Sequence, residues 1–344
     1  MVFSLKIVPV EQAFEVARDF VNERSLQVGH VLPLNEKLLS EYFPADKSYM
    51  LFQGRRPVAL FTYYPGVQKG VAIARFRVVA DSSAGLKEAL KNIETTALAG
   101  EKLIARTTAF GYAKDRVEAL GRFGYKVGVS LPETVSLNGR RFDYHFLYKD
   151  LTRQYHFPVK RSYAKPGLYP SVDVAKAKSP RLKVRGYRAE DRAALDKYSS
   201  HPMVIRGLAS GVFEGLYPWT PGSYQQMVDS GKVYPLVCED EGTGEAVGII
   251  DLFKQSQDVM QHCMLVGMYG KPEYQGIGVG TMLMENVKTM AKRLHLARIW
   301  LSVFEGNTPA ERLYRKAGFV ECGKVPGWLQ EGYVNEVFMT LRLE

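Results

Sequence analysis

Cysteine is scarce in this chain. Cys238, Cys263 and Cys322 are the only three, and no two of them form a CxxC pair. An odd count without metal-type spacing argues against a disulfide framework or a zinc centre and fits a reducing compartment. No metal is therefore expected. No stretch approaches the roughly eighteen apolar residues that a membrane-spanning helix needs. The apolar start, residues 1–10, is too short for a secretory leader and is followed by Glu11. These absences predict a cytoplasmic protein without a membrane partner. The lysine of a Walker phosphate loop is also missing, and no basic block with interleaved aromatics points to nucleic acid.

The 344 residues present are 46% hydrophobic and 24% charged, a balance that suits a soluble chain of about two domains. The formal net charge of +10 raises the local concentration of anions. It reads mainly as solvated surface that also assists a phosphorylated cofactor.

An internal repeat organises the chain. Leu313-Tyr-Arg-Lys-Ala-Gly318-Phe319-Val-Glu-Cys-Gly323 has a counterpart in Ala119-Leu-Gly-Arg-Phe-Gly124-Tyr125-Lys-Val-Gly128. Gly332-Tyr-Val-Asn-Glu336-Val-Phe-Met339 parallels Gly139-Arg-Arg-Phe-Asp143-Tyr-His-Phe146 in the same way. In the second half, strands are predicted at 182–187, 234–238, 246–253, 259–269, 297–304 and 336–343. Helices are predicted from Asp191, over 280–294 and over 309–317. The first half repeats the order, with a hairpin across 53–57, a strand near 73–79 and a helix placing Leu86, Leu90, Ile93 and Ala97 on one face. A strand at 102–107 and a helix stop at Gly124 follow. The predicted organisation is a first domain at 1–150, an irregular Pro-, Lys- and Tyr-rich linker at 151–180, and a second domain at 181–344. Each domain is expected to be a mixed, mostly antiparallel sheet flanked by helices.

Gln275-Gly276-Ile277-Gly278-Val279-Gly280 follows a strand and opens an amphipathic helix. Glycines there strip side chains from a loop whose amides, with the helix dipole, make an anion site. A dinucleotide fold would want Gly-x-Gly-x-x-Gly spacing and an acidic residue after the next strand; the glycines here are spaced Gly-x-Gly-x-Gly. The segment Pro272 to Gly280 resembles the pyrophosphate loop of the GNAT superfamily of acetyl-CoA-dependent N-acetyltransferases. Asn307-Thr-Pro-Ala310-Glu-Arg-Leu-Tyr314-Arg-Lys-Ala-Gly318-Phe319 resembles its second motif, and Gly332-Tyr333…Glu336…Met339 its last strand pair.

The resemblance implies direct attack of an amine on the thioester of acetyl-CoA. It implies that backbone groups of Met268, Tyr269 and Gly270 hold the pantetheine arm on a strand that splays from its neighbour. Gln275, Gly276, Ile277, Gly278, Val279, Gly280 and Thr281 would hold the pyrophosphate, and Asn307 the far side of the arm. Tyr314 matches the position whose hydroxyl lies near the sulfur, where a phenol can protonate a departing thiolate. His262 is the candidate base, because alternation along a strand at 259–269 would align it with Met264, Val266 and Met268; Glu305 is the reserve. Thr308 is expected to cap the helix at 309–317, with Glu311 completing a capping box. Tyr217, Trp219 and Tyr333 are expected to line the acceptor side. The first half has Ala80-Asp81-Ser-Ser-Ala-Gly85 in place of the loop and Leu120 in place of Tyr314, as in a copy that has lost cofactor chemistry. The expected partner is an amine acceptor, a small molecule or a protein. The alternatives are a non-catalytic acyl-CoA-responsive binding protein and an enzyme that uses a longer acyl-CoA.

Overall fold

The computed structural model describes residues 5–29, 31, 33–64, 73–151, 180–199, 221–329 and 332–343. The chain divides into two compact units, Met1–Arg161 with Gln257–Val259, and Ser162–Ser256 with Met260–Glu344. The predicted linker, apart from its two end residues, lies outside the described residues, as do Tyr217 and Trp219.

In the first unit the strands are β1 (Leu5–Pro9), β2 (Ser48–Gln53), β3 (Arg56–Tyr64), β4 (Ile73–Ala80), β5 (Ile104–Phe110), β6 (Lys126–Leu137) and β7 (Arg140–Asp150). They lie in the order β1-β2-β3-β4-β5-β7-β6, antiparallel except for β4 and β5. The helices are α1 (Phe14–Asn22), α2 (Glu36–Tyr42), α3 (Ser83–Ala99) and α4 (Lys114–Arg122). Leu86, Leu90, Ile93 and Ala97 of α3 are buried, at the helical spacing the sequence predicts.

The second unit has β8 (Leu182–Gly186), α5 (Asp191–Ser199), α6 (Pro221–Asp229), β9 (Val233–Asp240), β10 (Glu245–Lys254), β11 (Cys263–Gly270), α7 (Val279–Arg293), β12 (Arg298–Phe304), α8 (Thr308–Lys316), β13 (Val320–Leu329) and β14 (Gly332–Arg342). Its strand order is β8-β9-β10-β11-β12-β14-β13. Again one pair, β11 and β12, is parallel. Each unit is thus a mixed α/β layer structure, and the two strand orders are the same.

β10 is buried on both faces through eight consecutive residues, which explains its near-continuous apolar run. Met264 and Val266 of β11 share a core with Leu283, Val287 and Ala291 of α7. The start of α7 lies against β10 at Gly248, where an added methyl would stand 2.7 Å from Val279 Cγ1. Two expectations are corrected. The strand predicted at 259–269 begins only at Cys263, because Asp258–Met260 turn as a short 3-10 helix. The last strand starts at Gly332, four residues before the predicted Glu336, because its pairing with β13 continues to the hairpin turn.

Candidate functional site

The loop between β11 and α7 is clamped at its entrance. Lys271 Nζ lies 2.9 Å from both carboxylate oxygens of Glu245. The Tyr274 hydroxyl donates to Asp240 Oδ2 at 2.8 Å. Between those anchors and the helix, Gly276 and Gly278 adopt φ of 79° and 105°, a left-handed conformation that costs a side-chain-bearing residue about 1–2 kcal/mol. A methyl built on either would meet nothing within 4 Å, so the glycines leave space in front of the loop. Gly278 is the N-cap of α7 and offers no side-chain cap. The first bond of the helix runs from the Met282 amide to the Gly278 carbonyl at 3.0 Å. The amides of Val279, Gly280 and Thr281 therefore belong to the donors that a helix start leaves for another acceptor.

Beside this cradle, β11 and β12 part. Their parallel ladder covers only Cys263–Leu265 against Arg298–Trp300, although the strands run on to Gly270 and Phe304. The Lys271 amide donates to the Val247 carbonyl at 2.8 Å. Strand alternation then turns the backbone of Tyr269 toward β10 and that of Met268 and Gly270 toward the gap. Of the three positions expected to hold an extended arm, Met268 and Gly270 have the orientation required; Tyr269 has its backbone committed to the sheet. Gly280 joins cradle and gap: a methyl there would lie 2.8 Å from Leu313 Cδ2 and 3.6 Å from Met268 Cε.

Leu313 and Tyr314 belong to α8. The cap of this helix is Asn307, whose Oδ1 accepts from the Ala310 amide at 3.4 Å, and not Thr308. Glu311 accepts from the Gly306 amide at 3.0 Å, two residues ahead of the Thr308 amide that a box capped by Thr308 would use, so the predicted capping box does not form. Asn307 therefore sets where α8 starts. The Tyr314 ring is 8% exposed and tilted against Phe319 at 6.0 Å. Burial pushes its pKa up to about 12. Its hydroxyl has no hydrogen-bond partner among the described residues.

His262 does not join this group. It precedes β11 in a turn, and its carbonyl accepts the Ala297 amide at 3.0 Å. At about 3.3 Å per residue it lies about 13 Å along the chain from Val266, where the gap begins. Glu305 is engaged on both oxygens, by Lys324 Nζ at 2.6 Å and Asn335 Nδ2 at 2.7 Å. Those hydrogen bonds, Lys324 first, hold its pKa below the ordinary value, which makes it a poorer base. Tyr333 pairs with Trp328 across the β13–β14 hairpin through its backbone. A carboxyl not singled out from the sequence, Asp251 on β10, is 5% exposed and accepts the Tyr224 hydroxyl at 2.6 Å. The available signal was a carboxylate set within the apolar run 246–253. Among the described residues no group of three or more His, Cys, Asp or Glu could hold a metal ion, and no helix is long and apolar enough to cross a membrane.

The first unit has the same elements with different occupants. The β4–β5 ladder likewise stops after three pairs, at Arg75 and Arg106. Here, however, the free edge of β4 is taken. The Ala80 amide donates to Gln27 Oε1 at 3.1 Å, and Gln27 Nε2 donates to the Ala80 carbonyl at 2.9 Å. Arg116 of α4 donates to the Val78 carbonyl and to Gln27 Oε1 at 3.0 Å. At the start of α3, Ser82 Oγ caps the Gly85 amide at 3.1 Å, and Asp81 sits beside it, paired with Arg56 at 2.7 Å. Leu120, fully buried, puts hydrocarbon on the helix that corresponds to that of Tyr314.

Residues 205–319 match the model of the Acetyltransferase (GNAT) family. The chain is similar to a Bacillus subtilis protein assigned as a [ribosomal protein bS18]-alanine N-acetyltransferase, 28% identical over 120 residues, which is 35% of this chain and 72% of that protein. It is also similar to a streptothricin acetyltransferase of Streptomyces lavendulae, 36% identical over 65 residues, which is 19% of this chain and only 34% of that enzyme. A GNAT-family acetyltransferase structure from Streptococcus pneumoniae aligns with 48% of this chain and 100% of its own, at 19% identity and a TM-score of 0.42.

Proposed function

We propose that this chain, which carries a GNAT-type acetyltransferase segment, is an N-acetyltransferase that moves an acetyl group from acetyl-CoA to a primary amine by direct attack. The observation that carries the reading is the uncapped start of α7, opening beside a parallel strand pair that parts after three residue pairs. Backbone donors in front of an empty-sided glycine loop suit a pyrophosphate, and a strand edge without a neighbour suits an extended amide-bearing arm. Bound there, acetyl-CoA supplies a thioester-activated acyl group.

The chain's own residues then have distinct tasks. The amides of residues 276–281 bind the anion, with Gln275 leading the chain into the loop. Met268 and Gly270 align the arm, and Asn307 fixes the start of α8. The Tyr314 hydroxyl protonates the departing thiolate. Its raised pKa keeps the proton in place at neutral pH until charge develops on sulfur. Tyr217, Trp219 and Tyr333 remain our assignments for the acceptor side, with a small molecule or a protein amine as acceptor. The first unit, with its strand edge and helix start already satisfied by Gln27, Arg116 and Ser82, is read as a copy that no longer binds cofactor.

Release of free thiol from acetyl-CoA across a panel of small and peptide amines tests the activity. Calorimetry tests the division of labour, with one equivalent bound per chain expected. Two equivalents would defeat the assignment of the first unit, and absence of thiol release with every amine would defeat the acetyltransferase reading.

A further inference from the structure

β11 has two faces, and the cradle uses one of them. Met264 and Val266 point into the core beneath α7, with Met268 on the same side. The residues between them face the opposite side, and there Gly267 is paired with Asp251 of β10. Gly267 lies two residues beyond Leu265, the last residue of β11 paired with β12. It borders the gap and puts no side chain on the row that links the gap to Asp251. The Asp251 carboxyl thus lies one strand away from the gap, on the face opposite α7.

This carboxyl is held and yet unsaturated. The Tyr224 hydroxyl donates to Oδ1 at 2.6 Å, while Oδ2 has no hydrogen-bond partner among the described residues. The groups facing the pair come from several elements. Arg192 of α5 lies over the Tyr224 ring at 4.6 Å, and Tyr187 meets that ring edge-on at 5.3 Å. Tyr269 of β11 acts on Tyr224 electrostatically, and β9 places the uncharged Pro235 opposite Asp251. Burial drives the Asp251 pKa up to about 7, opposed by the Tyr224 hydrogen bond and the Arg192 charge.

We infer that Asp251 is the proton acceptor for the incoming amine and that Tyr224 is the residue that positions it. The assignment rests on the acetyl-transfer reading. In the step, an N–H bond of the ammonium breaks and its electron pair stays on nitrogen. The proton forms an O–H bond on Asp251 Oδ2. The freed pair attacks the thioester carbonyl carbon, the C–S bond breaks with its pair on sulfur, and the thiolate takes the Tyr314 proton. The second proton of the attacking nitrogen passes through water to the Tyr314 oxygen, and Asp251 later returns its own proton to water. A carboxyl that titrates near neutrality is matched to this task.

The test is the pH–rate profile of thiol release, from pH 5.5 to 9, for wild type, Asp251→Asn and Tyr224→Phe, with acetyl-CoA affinity measured alongside. Wild type should show a rising limb near neutrality. Asp251→Asn should lose that limb and about a hundredfold or more in turnover, while acetyl-CoA binding is kept. Tyr224→Phe removes a hydrogen bond that favours the carboxylate, so its limb should move to higher pH; this variant decides the matter if Asp251→Asn does not fold. A limb unchanged in either folded variant overturns the assignment and leaves the acetyltransferase reading intact. Absence of thiol release by wild type with every amine overturns both.

Discussion

Gly280 and Leu313 are in such close contact that a methyl on Gly280 would stand 2.8 Å from Leu313 Cδ2, so the end of the Leu313 side chain would have to turn aside to admit it. This contact seats the cradle helix on the helix that carries Tyr314. Gly280→Ala should therefore change stability by no more than about 1 kcal/mol, since a small Leu313 movement is offset by the helix preference for Ala, read as the midpoint in urea, but should weaken acetyl-CoA binding as Leu313 is displaced toward the gap. Gly278→Asp is the complementary case. Its space is open, so stability should fall only by the about 1–2 kcal/mol of left-handed strain, while the added carboxylate repels a pyrophosphate. Calorimetry should show no acetyl-CoA binding by the folded variant.

Tyr314→Phe should lower turnover about a hundredfold and leave acetyl-CoA affinity nearly unchanged. Because burial holds the phenol at about 12, the wild-type rate should show no falling limb from Tyr314 between pH 6 and 10. Stopped-flow thiol release over that range checks both statements.

His262→Ala should keep the wild-type pH–rate profile, since the imidazole belongs to the turn ahead of β11 and not to the strand beside the gap. Loss of the neutral limb in this variant would restore His262 as the base.

Asp251 also predicts a pH dependence of stability. Its folded pKa of about 7 lies above the ordinary value of 3.8, so between those values the folded state binds more protons than the unfolded one. Stability from this group is therefore highest below about pH 4 and declines as pH rises toward 7. A shift of three units corresponds to about 4 kcal/mol as an upper bound. Asp251→Asn should remove the decline: relative to wild type it should gain stability at pH 8 but not at pH 4, by urea denaturation. A variant more stable and less active separates a catalytic carboxyl from a structural one.

The clamp around Glu305 works in the opposite direction. Its lowered pKa contributes stability that is present above the unfolded value of 4.5 and is lost as pH falls through the folded value. Lys324→Met should flatten that acid-side dependence. The effect should be small, because both side chains are more than a third exposed and solvent screens the pair.

The elements that could be read from the sequence were those fixed by local pattern. The spacing of Leu283, Val287 and Ala291 gives α7, and the glycines before it give the loop. His262 was misplaced because alternation says nothing of where a ladder begins; that is set by pairing with Arg298 and by the turn at Asp258–Met260. Asn307 and Thr308 are both good caps by type, and only backbone geometry chooses between them. Tyr269 looked equivalent to Met268 until the Lys271–Val247 bond fixed the parity of the strand. The Gln27–Arg116 contact spans 89 residues and leaves no local mark.

That last contact acts as a ratchet. Once Arg116 and Gln27 occupy the edge of β4, no single substitution returns it to a ligand. Removing Arg116 leaves the Val78 carbonyl and Gln27 each short of a donor, and removing Gln27 strands both backbone groups of Ala80. Each buried group so abandoned costs about 1–3 kcal/mol, and Ser82 and Asp81 would still close the helix start. On the proposed reading, opening the first unit to a cofactor would take several coordinated changes. If the first unit is the cofactor-free copy proposed above, its surface can vary while these interior contacts hold it as a scaffold.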